Sequence, residues 1–198
     1  MEKNQGDEIF EKKLRLLFIG NSHTYYNDLP LLVQNLAKKD GYDLEVTMIA
    51  HGGWYLSQHE REPDVRFNIL HGHYDYVILQ EHAHPFGPVS DFLEAVQKLN
   101  VWIREAQSTP VIFSCWARES EKEAQDQMNQ AHEEAAKSID ALLAPVGEGW
   151  LDYKNDHPEL SMYANDGAHA SPLGSSFAAG CIWDTIQKDL EAKKGQEA

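Results

Sequence analysis

Residues 14–41 read LRLLFIGNSHTYYNDLPLLVQNLAKKDG, and the stretch divides into three parts. An unalternating run over residues 14–19, apolar but for Arg15, is closed by Gly20. A run that short and continuous suits a strand buried on both faces of a parallel sheet. Apolar side chains then return at helical spacing at Leu29, Leu32, Val33 and Leu36, behind Asn27, Asp28 and Pro30, and the pattern stops at Gly41. Strand, polar turn and helix in that order make half of a crossover unit.

The same alternation continues outward from this stretch. Further strands are expected over 44–50, ending at Gly52-Gly53, over 74–79, followed by the polar segment 80–84, and over 111–114 behind Pro110, with a weak fifth between 146 and 151. Helical spacing recurs at Phe92, Val96, Leu99 and Ile103, with Ser90 or Asp91 as the cap. It recurs again at Ala124, Met128, Ala131, Ala135, Ile139 and Leu142. Glu119, Glu121 and Glu123 near that helix's start read as a solvated face that suits the dipole. A last helix opens with Ser171 as cap and Pro172 at the first helical position. Strands alternating with helices imply an α/β protein with helices on both faces of a parallel sheet. The expectation is a three-layer α/β/α sandwich, flavodoxin-like and doubly wound, with about five strands in the order 2-1-3-4-5. With 198 residues, no repeat and no Pro/Gly/Ser-rich linker, one domain over 1–198 is expected, its core about 13–191.

Composition narrows the chemistry. Seventeen basic against 32 acidic residues leave a net charge of -15, which repels nucleic acid and anionic membrane surfaces. Two cysteines, Cys115 and Cys181, make no disulfide framework or zinc knuckle. Acids precede the first short apolar run, so no signal peptide is read, and a cytoplasmic protein is expected.

In doubly wound sheets ligands bind beyond the carboxyl ends of the strands. There the sequence places Gly20-Asn21-Ser22-His23-Thr24, His51-Gly52-Gly53 and Gln80-Glu81-His82-Ala83-His84, and just before the last helix Asn165-Asp166-Gly167-Ala168-His169. A serine hydroxyl is a poor nucleophile until an imidazole takes its proton, and a carboxylate behind the imidazole fixes its tautomer. Ser22, His169 and Asp166 supply those three groups, and the last two are three residues apart in a glycine turn. Each has a plainer reading alone: Ser22 as a turn cap, Asp166 as a turn residue, His169 as a partner for a helix end.

On these residues the chain resembles the SGNH hydrolases, the GDSL-like esterases and lipases. Gly20-Asn21-Ser22 is similar to the family's first block with Asn in place of Asp, and Asp166-Gly167-Ala168-His169 matches its last block. The resemblance implies Ser22 as nucleophile, His169 as base and then acid, Asp166 as orienter, and an acyl-enzyme formed without metal or other cofactor. It implies an oxyanion hole from the backbone N–H groups of Ser22 and Gly53, with Gly52 as the alternate. The third block departs, reading Leu79-Gln80-Glu81-His82 where many members have Gly-x-Asn-Asp. The side-chain donor then falls to Gln80, as in relatives carrying Gln there, with His82 the other candidate. The expected substrate is a small-molecule ester, an acyl or acetyl group on a small or carbohydrate alcohol. Trp54, His82 and His84 are the expected substrate-binding residues.

Two rivals stand beside this reading. His71, His73, His82 and His84 form two His-x-His pairs around the third strand, the residue type a zinc or iron hydrolase uses. A non-catalytic carbohydrate-binding module would keep the cleft but have no reason to keep the three groups.

Overall fold

A computed structural model describes residues 13–197. Five strands, β1 (Lys13–Gly20), β2 (Asp43–Ala50), β3 (Tyr76–Gln80), β4 (Thr109–Phe113) and β5 (Leu142–Ala144), form one sheet in the order β2-β1-β3-β4-β5. Every pairing is parallel, and Ile19 of β1 lies beside Ile49 of β2 and Leu79 of β3. The helices are α1 (Ser22–Tyr25), α2 (Leu29–Lys39), α3 (Leu56–His59), α4 (Pro63–His71), α5 (Val89–Glu105), α6 (Gln125–Ser138), α7 (Val146–Asp156) and α8 (Pro172–Glu197). Both the α/β/α layering and the strand order are those expected.

Successive strand residues point to opposite faces, so the central strands feed two cores. Leu16 and Phe18 of β1, Ile78 of β3 and Val111 of β4 pack under α2, α7 and α8, against Val33, Trp150, Ile182 and Trp183. Leu17 and Ile19, Val77 and Leu79, and Ile112 pack under α3 to α6, against Leu56, Val65, Val96, Leu99 and Ala135. Burial on both faces is why these strands show no polar alternation. Removing a side chain such as Phe18, wholly buried, would cost about 3–5 kcal/mol.

Three local expectations are corrected. The fifth strand is Leu142–Ala144, and residues 146–156 form α7. Helix α6 ends at Ser138 because Asp140 turns left-handed (φ 51°), and the short apolar segment that follows pairs with β4. Past Pro145, Val146 and Trp150 lie one turn apart and share the core, a helical pattern that a short window reads as a strand. Helix α5 starts at Val89 behind Pro88 without a side-chain cap, and Ser90 and Asp91 sit inside its first turn. Helix α8 keeps its expected start, with Ser171 Oγ accepting the Gly174 N–H at 3.1 Å. Among the described residues no helix is long and apolar enough to cross a membrane.

Candidate active site

The turn after β1 is set by a close approach. A Cβ on Gly20 would meet Thr24 Oγ1 and sit 2.5 Å from Gln80 Oε1 and 2.9 Å from Gln80 Cβ, so only glycine lets β1 end against β3 here. The Gly20 carbonyl accepts from His51 N–H at 3.1 Å and from His59 Nε2 at 2.8 Å. Asn21 then caps α1, its Oδ1 accepting from His23 N–H at 3.0 Å, while its Nδ2 donates to the Trp54 carbonyl at 2.9 Å. One buried asparagine therefore starts the turn of Ser22 and ties it to the loop carrying Gly53. Gly53 itself is exposed and left-handed (φ 74°), with open space where a Cβ would stand, so its backbone conformation is what demands glycine.

The segment carrying Asp166 and His169 is braced just as locally. Gly167 is left-handed (φ 64°), Ala164 N–H donates to the His169 carbonyl at 2.8 Å, and Trp116 Nε1 donates to the Ala168 carbonyl at 2.8 Å. Asp166 Oδ1 accepts the N–H groups of Ala168 at 3.0 Å and His169 at 2.9 Å, and Oδ2 lies 2.6 Å from His169 Nδ1. The bond to the His169 ring, followed by the Ala168 amide, holds the Asp166 carboxyl well below the usual carboxylate range. An ionised carboxylate only accepts, so Nδ1 carries the proton and donates it. Nε2 is then the acceptor, and Ser22 Oγ stands 2.8 Å away to donate. Serine hydroxyl, imidazole and carboxylate form one hydrogen-bonded chain, which can draw the proton off Ser22 as its oxygen attacks.

Gln80 requires a correction. Its side chain is wholly buried, and its Oε1 accepts from Asn21 N–H at 2.9 Å and Thr24 Oγ1 at 2.8 Å. Its Nε2 donates to the Glu81 carbonyl and lies 3.6 Å from Cys115 Sγ. With both ends of the amide occupied beneath the turn, Gln80 supports Ser22's segment and does not offer a donor to an oxyanion. His82 Nδ1 is likewise engaged, 2.9 Å from the Pro85 carbonyl, with its ring stacked on Tyr55.

Of the expected substrate-binding residues, His84 joins the group of rings that reaches His169 through His23. Its ring lies 5.1 Å from that of His23, which lies 5.1 Å from His169. Burial pushes the His23 ring well below the ordinary imidazole range and His84 down to about 4, so both are neutral at neutral pH. Trp54 turns its ring against His51 at 4.2 Å and His59 at 5.2 Å. The four-histidine metal cluster is also corrected: His71 and His73 precede β3 while His82 and His84 follow it, so the length of a strand separates the pairs. Among the described residues no group of three or more His, Cys, Asp or Glu is arranged to hold a metal ion.

Sequence reasoning missed two groups. Glu81 is buried, accepts His82 N–H at 2.6 Å and Leu56 N–H at 3.2 Å, and is pushed up to about 7 by burial. The only signal was an acid directly after an apolar strand. Tyr26 stacks on the His169 ring at 4.2 Å and 14°. It sits in an aromatic pair between Ser22 and the next helix, where spacing carries no information.

Comparison with solved structures gives a consistent group. A protein from Slackia heliotrinireducens assigned to the SGNH hydrolases superposes with a TM-score of 0.76 at 26% identity, over 88% of this chain and 100% of its own. A carbohydrate esterase family 3 protein from Talaromyces cellulolyticus superposes with a TM-score of 0.72 at 12% identity, over 90% of this chain and 99% of its own. The acetyl xylan esterase AlAXEase does so with a TM-score of 0.70 at 16% identity, over 87% and 100%. No protein-family model and no curated protein matches the sequence.

Proposed function

We propose that this chain, which belongs to the SGNH hydrolase family and is a hydrolase of ester bonds, works through a covalent acyl-enzyme on Ser22. The observation that carries this reading is the hydrogen-bonded chain from Ser22 Oγ through His169 to Asp166, at 2.8 Å and 2.6 Å. Ser22 Oγ attacks the ester carbonyl carbon as its proton passes to His169 Nε2. The carbonyl electrons move onto oxygen, and the N–H groups of Ser22 and Gly53 receive that charge. The imidazolium returns its proton to the departing alkoxide, leaving the acyl group on Ser22. Water then attacks the acyl carbon as His169 takes its proton, the bond from that carbon to Ser22 Oγ breaks, and the imidazolium returns the proton to Ser22 as the acid leaves. Asp166 stays ionised throughout, holding the tautomer and stabilising the imidazolium.

The favoured substrate is a short acyl ester of a small or carbohydrate alcohol. The names of two structural relatives, an acetyl xylan esterase and a carbohydrate esterase, support that class. A panel of p-nitrophenyl esters of increasing chain length, beside acetylated sugars and with and without a chelator, tests it. Preference for acetyl over longer chains, turnover of an acetylated sugar and indifference to chelation are expected. Loss of turnover on chelation, restored by zinc, would replace the serine mechanism with a metal one.

A further inference from the structure

Ser22 and the ring that covers its base belong to a single turn. Tyr26 N–H donates to the Ser22 carbonyl, closing α1, and the Tyr26 ring lies face to face on His169 at 4.2 Å and 14°. The two residues that follow, Asn27 (φ 53°) and Asp28 (φ 54°), are both left-handed without being glycine. Such backbone costs energy and persists where its surroundings impose it. Here the surroundings are identifiable. Asn27 Nδ2 donates to the Ala170 carbonyl at 3.0 Å and to Ser175 Oγ at 2.9 Å, and Ser175 is buried in the first turns of α8. A strained turn beside the nucleophile is thus clipped to the residues just after His169.

We infer that Tyr26 is a positioning residue for His169, with Asn27 as the clip that holds it there. The inference rests on the triad reading above. The stacked ring restricts rotation of the imidazole, keeping Nε2 directed at Ser22. Its electron-rich face also favours the imidazolium that forms at each proton transfer. The other groups facing His169 are the Asp166 carboxylate at Nδ1, the Ser22 hydroxyl at Nε2, and the rings of His23 and His84. Both of those rings are held neutral by burial, and the Arg118 charge acts further on His84. Of this set, Asp166 and the Tyr26 face stabilise positive charge on His169, and the two act from different sides.

The test is the pH profile of p-nitrophenyl acetate hydrolysis, between pH 5 and 9, for the unmodified protein, Tyr26→Leu, Tyr26→Phe and Asn27→Gly. Labelling of Ser22 by a fluorophosphonate and the thermal midpoint are recorded for each. Tyr26→Leu is expected to lower kcat about two- to fivefold with KM little changed, the size of a partly exposed cation–π contact. The acid limb of kcat/KM should move down by about half a pH unit, because the protonated imidazole loses its partner face. Mere loosening would lower kcat without that shift. Tyr26→Phe keeps the stack and should restore rate and limb alike. Asn27→Gly allows the left-handed backbone but loses both side-chain bonds, and should repeat the Leu signature even if Tyr26→Leu fails to fold. An unmoved acid limb in both Tyr26→Leu and Asn27→Gly, or a loss that Phe does not restore, overturns the inference while Ser22 labelling leaves the triad standing. Failure of Ser22 to label in the unmodified protein would remove the triad reading, and this inference with it.

Discussion

Replacing Glu81 by Gln should change stability by an amount that grows with pH. The Glu81 carboxyl is 2% exposed, and although two backbone N–H groups donate to it, burial outweighs them and pushes it up to about 7. In the unfolded chain it titrates near its ordinary value of 4.5. Between those two pH values the folded state holds a proton that the unfolded state has lost, so stability falls as pH rises. Glu81's full contribution is therefore present below 4.5 and lost as pH passes 7, and the gap corresponds to roughly 3 kcal/mol. Gln carries no such titration, but its NH2 leaves one backbone N–H without an acceptor, at about 1 kcal/mol. The variant should be slightly less stable than the parent at pH 4.5 and about 2 kcal/mol more stable at pH 8.5. Urea denaturation followed by tryptophan fluorescence at several pH values measures both. A difference between the two proteins that stays constant across that range would refute the reasoning, because it would mean Glu81 ionises as an exposed carboxylate does.

Asp166→Asn should lower turnover at least about 100-fold through the wrong imidazole tautomer, with circular dichroism and thermal midpoint nearly unchanged because the side chain is exposed. Gly20→Ala should lose about 1–3 kcal/mol in urea denaturation, since its Cβ would press on Gln80 and Thr24, and activity should fall with it. Gln80→Ala should reduce stability and kcat together, as expected of a buried support under Asn21 and Thr24. A drop in kcat with unchanged stability would instead return Gln80 to the oxyanion hole.

The strand order and the two-faced core were legible because residues 16–19 of β1, 76–79 of β3 and 110–113 of β4 are continuous apolar runs closed by Gly20, Gln80 and Ser114. The residues that meet at the triad were legible because each falls at a strand end or a helix start. What stayed hidden depends on facing partners. Gln80 looks like a donor in sequence, and only the approach of Gly20 and Asn21 shows its amide to be occupied. Helices α3 and α4 are short and leave Phe67 exposed, so they offer little periodicity. Residues 146–151 misled because Val146 and Trp150 are spaced for a helix that Pro145 begins, a distinction six residues cannot make. Tyr26 touches His169 across 143 positions, and no local pattern encodes that contact.

The most direct measurement of the central claim is the site and consequence of covalent labelling. Incubation with a fluorophosphonate followed by peptide mass spectrometry should give one adduct, on Ser22, and Ser22→Ala should lose both the adduct and ester hydrolysis by several orders of magnitude. An adduct on another residue, or a Ser22→Ala protein that still turns over ester at the parent rate, would contradict the account.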